Sequence, residues 1–193
     1  MIALFGLLVS AMFINNIVLN QLLGLTTFFG VTSHKKIDAL FKMSIGVIIL
    51  MLLTTIIIYP IQVLVLEPLN ITYLETIITL IVIVALTYGL AFTLKTFKDG
   101  QYQALHVYVP LIATNTAILG VTLINVLSPQ TFIESIIVTL GSGLGYSLIL
   151  LTFTTIRLRL SSYAVPKTFK GLPIALITAG LMALAFLGLA GVL

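Results

Sequence analysis

Asn15, Asn16, Asn20 and Gln21 crowd into seven residues, and Gly24, Thr26, Thr27, Gly30 and Thr32 follow directly. Neutral amides and hydroxyls at this density, inside an apolar run, have three uses. They satisfy the backbone where a helix breaks, they hydrogen-bond to a neighbouring helix, or they line the path of an ion or cofactor. A second group, Thr114, Asn115, Thr116 and Gly120, repeats the theme. The heptad from Thr26 to Thr32 matches that from Thr116 to Thr122 at four of seven positions, 90 residues on, and this predicts an internal duplication. The chain has no cysteine, which excludes disulfides, thiolate metal sites and cysteine nucleophiles. His34 and His106 have no partner at ligand spacing and are read as interfacial polar residues. No catalytic residue and no metal-ligand set is expected.

The elements that must position these residues follow from hydropathy. The chain of 193 residues is 60% hydrophobic and 7% charged, with mean hydropathy +1.27. A soluble domain carries about 25% charged residues, so this composition predicts an all-α integral membrane protein. Six spans fit, at approximately Ile2–Leu25, Ile37–Tyr59, Ile71–Leu94, Leu105–Leu127, Phe132–Ile156 and Leu172–Leu193, each near the ~20 residues needed to cross. The N-terminus, apolar from Ile2 and without a basic leader, is read as a first span and not a signal peptide. As one straight helix the run from Ile2 to Val31 would be about 45 Å long, against a hydrocarbon core of about 30 Å. A break near Gly24 is therefore expected, and irregular backbone at membrane depth must be surrounded by protein or line a cavity. The fourth span is expected to break in the corresponding place.

Charge sets the expected orientation. All nine basic residues fall in alternate loops: Lys35, Lys36 and Lys42, then Lys95 and Lys98, then Arg157, Arg159, Lys167 and Lys170. Basic loops belong in the cytoplasm, which puts both termini outside. Charges so grouped serve orientation and are not a nucleic-acid footprint. Three spans per repeat then predict two inverted three-helix repeats, about 1–94 and 95–193, within a single membrane domain at 1–193 in the cell membrane. Thr72 with Glu75, and Thr131 with Glu134, fit capping boxes at helix starts. Pro60, Pro68, Pro129, Pro166 and Pro173 are placed at span ends or loops. Gly141 with Gly145, and Ala175 with Ala179, Ala183 and Gly191, form small-residue stripes that let helices approach closely.

Several stretches resemble one family. They are Asn15-Asn16-Ile17-Val18-Leu19, Leu23-Gly24-Leu25 with Phe28-Phe29-Gly30-Val31, Pro110-Leu111-Ile112 with Thr114-Asn115 and Ala117-Ile118-Leu119-Gly120-Val121, and the run from Ile174 to Met182. The family is that of the small six-span membrane subunits of the Rnf electron-transport complex and of the sodium-translocating NADH:quinone reductase. The likeness covers essentially the whole chain. It implies that the chain pairs with a homologous six-helix subunit of opposite orientation, next to other membrane redox subunits that carry flavin. It also implies a 2Fe–2S cluster shared within the membrane, with two cysteines from each member of the pair. The positions of those cysteines are Thr26 and Thr116 here, and Thr27 stands where the family has proline. Iron–sulfur clusters are held by thiolates, with histidine a rarer substitute, and a threonine hydroxyl is a hard, neutral, weak donor. No cofactor bound by this chain is therefore expected.

Three functional readings follow: a cluster-less subunit of an Rnf-like redox complex, an ion-conducting protein that reuses the inverted-repeat fold, or a structural partner. Thr26 and Thr116 bond back to their own helices or line an ion or cofactor path. Asn15, Asn16, Gly24, Gly30, Thr114, Asn115 and Gly120 are the further candidates for lining that site.

Overall fold

A computed structural model of the protein describes residues 2–25, 27, 37–97, 109–161, 163 and 165–188. Among them there is no strand. Helix α1 (Ile2–Val9) runs into a π-helical turn (Ser10–Ile14), and α2 (Ile17–Gln21) follows a break. Helix α3 (Ile37–Ile61) continues into a second π-helical turn (Gln62–Leu66). A 3-10 turn (Thr72–Leu74) opens α4 (Glu75–Phe97). The short α5 (Val109–Ala113) and α6 (Thr116–Leu127) flank another break, and α7 (Phe132–Ser161) is the longest element. A 3-10 turn (Lys167–Phe169) precedes α8 (Leu172–Leu187).

Among the described residues, four helical stretches are long and apolar enough to cross a membrane: Leu40–Leu66, Thr72–Thr93, Val109–Leu127 and Phe132–Leu160. Leu4–Ile14 and Leu172–Leu187 are apolar but shorter. The first is short because the expected opening span divides twice, at Asn15–Asn16 and again at Leu22–Gly24.

Helix α7 is the hub. Its Tyr146, Ile149, Leu150 and Phe153 are buried, and α1, the first π-helical turn, α2, α3, α6 and α8 all pack on it. Two of its glycines make this possible. A methyl group on Gly141 would lie 2.5 Å from the Leu8 carbonyl oxygen, and one on Gly145 would lie 2.6 Å from that of Met12. Backbone meets backbone here, as close helix approach through small residues requires. Helix α8 turns Ala175, Ala179 and Met182 inward. Gly191, the end of that expected stripe, lies outside the described residues. Helix α4 is peripheral: Glu75, Thr79, Ile83 and Thr87 form a buried row at four-residue spacing, while Ile77, Ile81, Tyr88 and Phe92 are exposed. A one-sided apolar surface of this kind suits lipid.

Two sequence expectations are corrected. Pro60 lies inside α3 and does not end it; Ile61 keeps right-handed helical angles (φ −61°, ψ −41°) and the helix proceeds to Leu66. In hydrocarbon, a helix stopped at the proline would leave several backbone groups unbonded, whereas continuing through it forfeits one bond. Thr72 and Glu75 form no capping box. Thr72 is already wound into the 3-10 turn, no side chain caps the turn at Ile71, and the Glu75 Oε1 atom is buried without a partner among the described residues. The other box is present. The Glu134 carboxylate accepts from the Thr131 amide at 2.8 Å and from its hydroxyl at 2.9 Å, and the Thr131 Oγ1 atom accepts from the Glu134 amide at 3.4 Å.

Candidate functional site: the crossing of the broken first and fourth spans

The break before α2 and the break before α6 are each held open by an asparagine. Asn16 leaves the helix with extended angles (φ −64°, ψ 115°). Its Oδ1 atom accepts from the amides of Val18 and Leu19, at 3.0 and 3.4 Å, and so caps α2. Its Nδ2 atom donates to the Met12 carbonyl at 2.8 Å. Asn20 Nδ2 donates to the Ile14 carbonyl at 2.7 Å, and Asn15 Nδ2 to Ser10 Oγ at 3.1 Å. These amides replace the backbone bonds that the unwound segment gives up. Between α5 and α6 Asn115 does the same work (φ −74°, ψ 110°), its Oδ1 atom accepting from the Ala117 amide at 2.9 Å. The hydroxyl of Thr114 donates back to the Pro110 carbonyl at 2.9 Å.

The break at Leu22–Gly24 then docks onto the break between α5 and α6. Leu22 takes the left-handed conformation (φ 55°) at the end of α2, and Gly24 follows at φ 81°. Gly24 is required there twice over, by that angle and by space, since a methyl group would lie 3.0 Å from the Tyr146 ring, 3.1 Å from Ala117 Cβ and 3.2 Å from Asn115 Oδ1. The Gly24 amide donates to Thr116 Oγ1 at 2.8 Å. The Gly24 carbonyl accepts from the Thr27 hydroxyl.

Thr27 Oγ1 also lies 2.8 Å from the Tyr146 hydroxyl, and Asn115 Nδ2 donates to that same hydroxyl at 3.2 Å. A threonine has one hydroxyl proton. Since Thr27 gives its proton to Gly24, Tyr146 must donate to Thr27. The chain of bonds is therefore directed, from the Asn115 amide through Tyr146 and Thr27 to the Gly24 carbonyl. Asn115, Thr27 and Tyr146 are all buried, so the low dielectric strengthens each bond and penalises the loss of any one.

Among the candidates named from sequence, Gly24, Asn115 and Thr116 meet directly, and Asn16 stands one element away, beside Gly145. Gly120 is a notch for Leu23: a methyl group there would collide with Leu23 Cδ1 of the same chain. Leu23 thus fills the space at Gly120, while Thr116 stays exposed. Asn15 and Thr114 are exposed. Thr26 and Gly30 lie outside the described residues. Sequence reasoning missed Tyr146. Its signal was a phenol in the middle of an apolar span, where a buried hydroxyl needs a partner.

A polar cavity of about 290 Å³ lies beside this crossing, with Ser10, Asn15, Gln21, Asn125, Gln130 and Ser142 in its wall. Asn125 is buried. Its Nδ2 atom donates to Thr139 Oγ1 at 2.7 Å and to the Ser135 carbonyl at 3.3 Å. The Oδ1 atom of Asn125 and the Oε1 atom of Gln130 have no partner among the described residues.

The crossing does not suit a 2Fe–2S cluster. The chain has no cysteine, and among the described residues no three His, Asp or Glu side chains gather. Thr116 presents a neutral hydroxyl that already accepts the Gly24 amide proton. What the arrangement can do is fasten two broken spans to each other and to α7.

Over residues 4–193 the chain matches the family described as Rnf-Nqr subunit, membrane protein. It is 44% identical over 185 residues to the A component of the Na(+)-translocating ferredoxin:NAD(+) oxidoreductase complex of Acetobacterium woodii. It is 40% identical to the A component of an ion-translocating oxidoreductase complex from Colwellia psychrerythraea, and 38% to that from Pseudoalteromonas translucida, again over 185 residues. In each case the match covers 96% of this chain and 95% of the relative. Helical and apolar among its described residues and matched along nearly its whole length, the chain belongs to the Rnf-Nqr family of membrane subunits.

Proposed function

We propose that this chain is the A-type membrane subunit of an ion-translocating oxidoreductase complex, and that within it the chain is a scaffold that carries no redox centre of its own. The relatives are named as the A components of such complexes. The observation that carries the cluster-less role is the bond from the Gly24 amide to Thr116 Oγ1, which occupies the hydroxyl at one position of the cluster ligands implied by the resemblance. In this reading the chain sits in the cell membrane with both termini outside. It pairs with a homologous six-helix subunit of opposite orientation, and electrons pass through centres on other subunits.

The polar cavity at Asn125 favours a second reading, in which the chain conducts an ion and the inverted-repeat scaffold is retained for that purpose. One preparation separates the two. The chain is purified with whatever proteins accompany it, and iron, flavin and NADH-linked electron transfer are assayed. Flavoprotein partners and electron transfer that survives Thr116→Val are expected. A lone homo-oligomer that passes cations through liposomes would support conduction and overturn the redox reading. Stoichiometric iron lost on Thr116→Val would overturn the cluster-less role.

A further inference from the structure

The end of α7 and the start of α8 enclose a second cavity, far in character from the crossing of the broken spans. It measures about 260 Å³ and is lined by Arg157, Leu160, Tyr163, Lys170, Gly171 and Ile174. Among the described residues no carboxylate is in its wall. Arg157 is held by the Phe153 ring, its guanidinium carbon 5.8 Å from the ring centre, so its charge is fixed in place at the mouth of the helix pair. Opposite it, α8 begins at Gly171 with no side-chain cap, which leaves the positive end of a helix of 16 residues facing the same space.

Leu160 and Ile174 also line an apolar groove of about 340 Å³ that runs on along the two helices past Ile177, Leu181 and Ala185. A basic pocket thus adjoins an apolar groove, and Ile177 and Leu181 of that groove are exposed. Arg159, near the end of α7, and Lys167, in the 3-10 turn before α8, stand exposed and raise the local positive potential.

We propose that this pocket and groove hold one anionic phospholipid. Its phosphate lies between Arg157, Lys170 and the start of α8, and an acyl chain lies along Leu160, Ile174, Ile177 and Leu181. Both halves of the site are needed to name the ligand. A free phosphate has no use for the groove. A zwitterionic lipid brings its own ammonium, which the two cations repel. The inference is independent of the redox reading, since it concerns a different end of the molecule and asks nothing of electron transfer.

The test is to extract the complex in mild detergent and to quantify its bound lipids by mass spectrometry. The unmodified complex should retain phosphatidylglycerol or cardiolipin in preference to phosphatidylethanolamine. The pair Arg157→Gln with Lys170→Gln should lower that retention on the order of tenfold, and Arg157→Lys should largely keep it. Ala185→Trp, which fills the groove and leaves both cations in place, should lower it as well. Equal retention in the double variant or in Ala185→Trp, or equal retention of phosphatidylethanolamine by the unmodified complex, would overturn the proposal. Should the double variant fail to assemble, the unmodified delipidated complex is heated with vesicles of phosphatidylglycerol or of phosphatidylcholine. Stabilisation by the first alone supports the site, and equal behaviour with the two overturns it.

Discussion

Thr116 Oγ1 accepts a hydrogen bond from the Gly24 amide at 2.8 Å, across 92 residues of chain. The bond joins the turn that ends α2 to the first residue of α6, and so fastens the broken span of one half of the chain to the broken span of the other. Thr116→Val keeps the shape and removes the acceptor. The Gly24 amide, partly buried, would then lack a partner, at a cost of about 1–3 kcal/mol. A thermal unfolding midpoint lowered in Thr116→Val and restored in Thr116→Ser is the expected result. Equal midpoints for valine and threonine would show that the amide finds another acceptor.

The directed chain from Asn115 to Gly24 makes a sharper demand. Tyr146→Phe strips Thr27 of its donor and Asn115 Nδ2 of its acceptor in one step. Tyr146→Phe and Thr27→Val should each destabilise. The double variant should lose less than the sum, by a coupling energy of about 0.5–3 kcal/mol. Strict additivity would mean that the two hydroxyls do not act as one unit.

Close approach on α7 gives the largest expected effect. In Gly141→Val or Gly145→Val the added carbons meet the backbone of the first span, not a flexible side-chain end. The first span should be displaced, and the variants should fail to accumulate as assembled complex. Gly180→Ala is the control, because nothing lies within 4 Å of a methyl group there. Its yield and melting behaviour should match those of the unmodified protein.

The loop charges predict topology. Cysteines placed at Ser33 and Ser128, in a chain with no other cysteine, should react with a membrane-impermeant maleimide from opposite sides of the membrane. Reaction of both from one side would remove the basis for six spans with outward termini.

Much of the fold was legible because bilayer physics acts on composition. The apolar stretches, the break near Gly24, the box at Thr131 and Glu134, and the glycine pair on α7 all follow from rules about unbonded backbone and close helix approach. What escaped depended on which face met which. Tyr146 looks like any aromatic on an apolar helix until Thr27 and Asn115 are placed beside it. Gly120 reads as a site-lining residue until Leu23 is placed against it. Thr72 and Glu75 carry the same residue types as the box that forms, yet the 3-10 turn shifts the helix start onto Thr72. Pro60 reads as a helix end only under rules drawn from water, where a helix can stop and let solvent bond the strays. The separate division at Asn15–Asn16 is hidden in sequence because its cue lies in the same cluster as that at Gly24.

The π-helical turn at Ser10–Ile14 has a consequence for phase. A regular helix advances about 100° per residue around its axis, and a π-helical turn acts as one inserted residue that slips everything after it by that angle. Asn16, whose amide nitrogen stands where a side chain on Gly145 would intrude, meets α7 just past that slip. Deleting a single residue between Ser10 and Ile14 would restore regular winding and swing Asn16 about a quarter-turn away, uncoupling the order of residues along the first span from the order of contacts on α7. The first helix is in this sense a key cut with one tooth offset, and its five-residue irregularity sets where Asn16 meets α7.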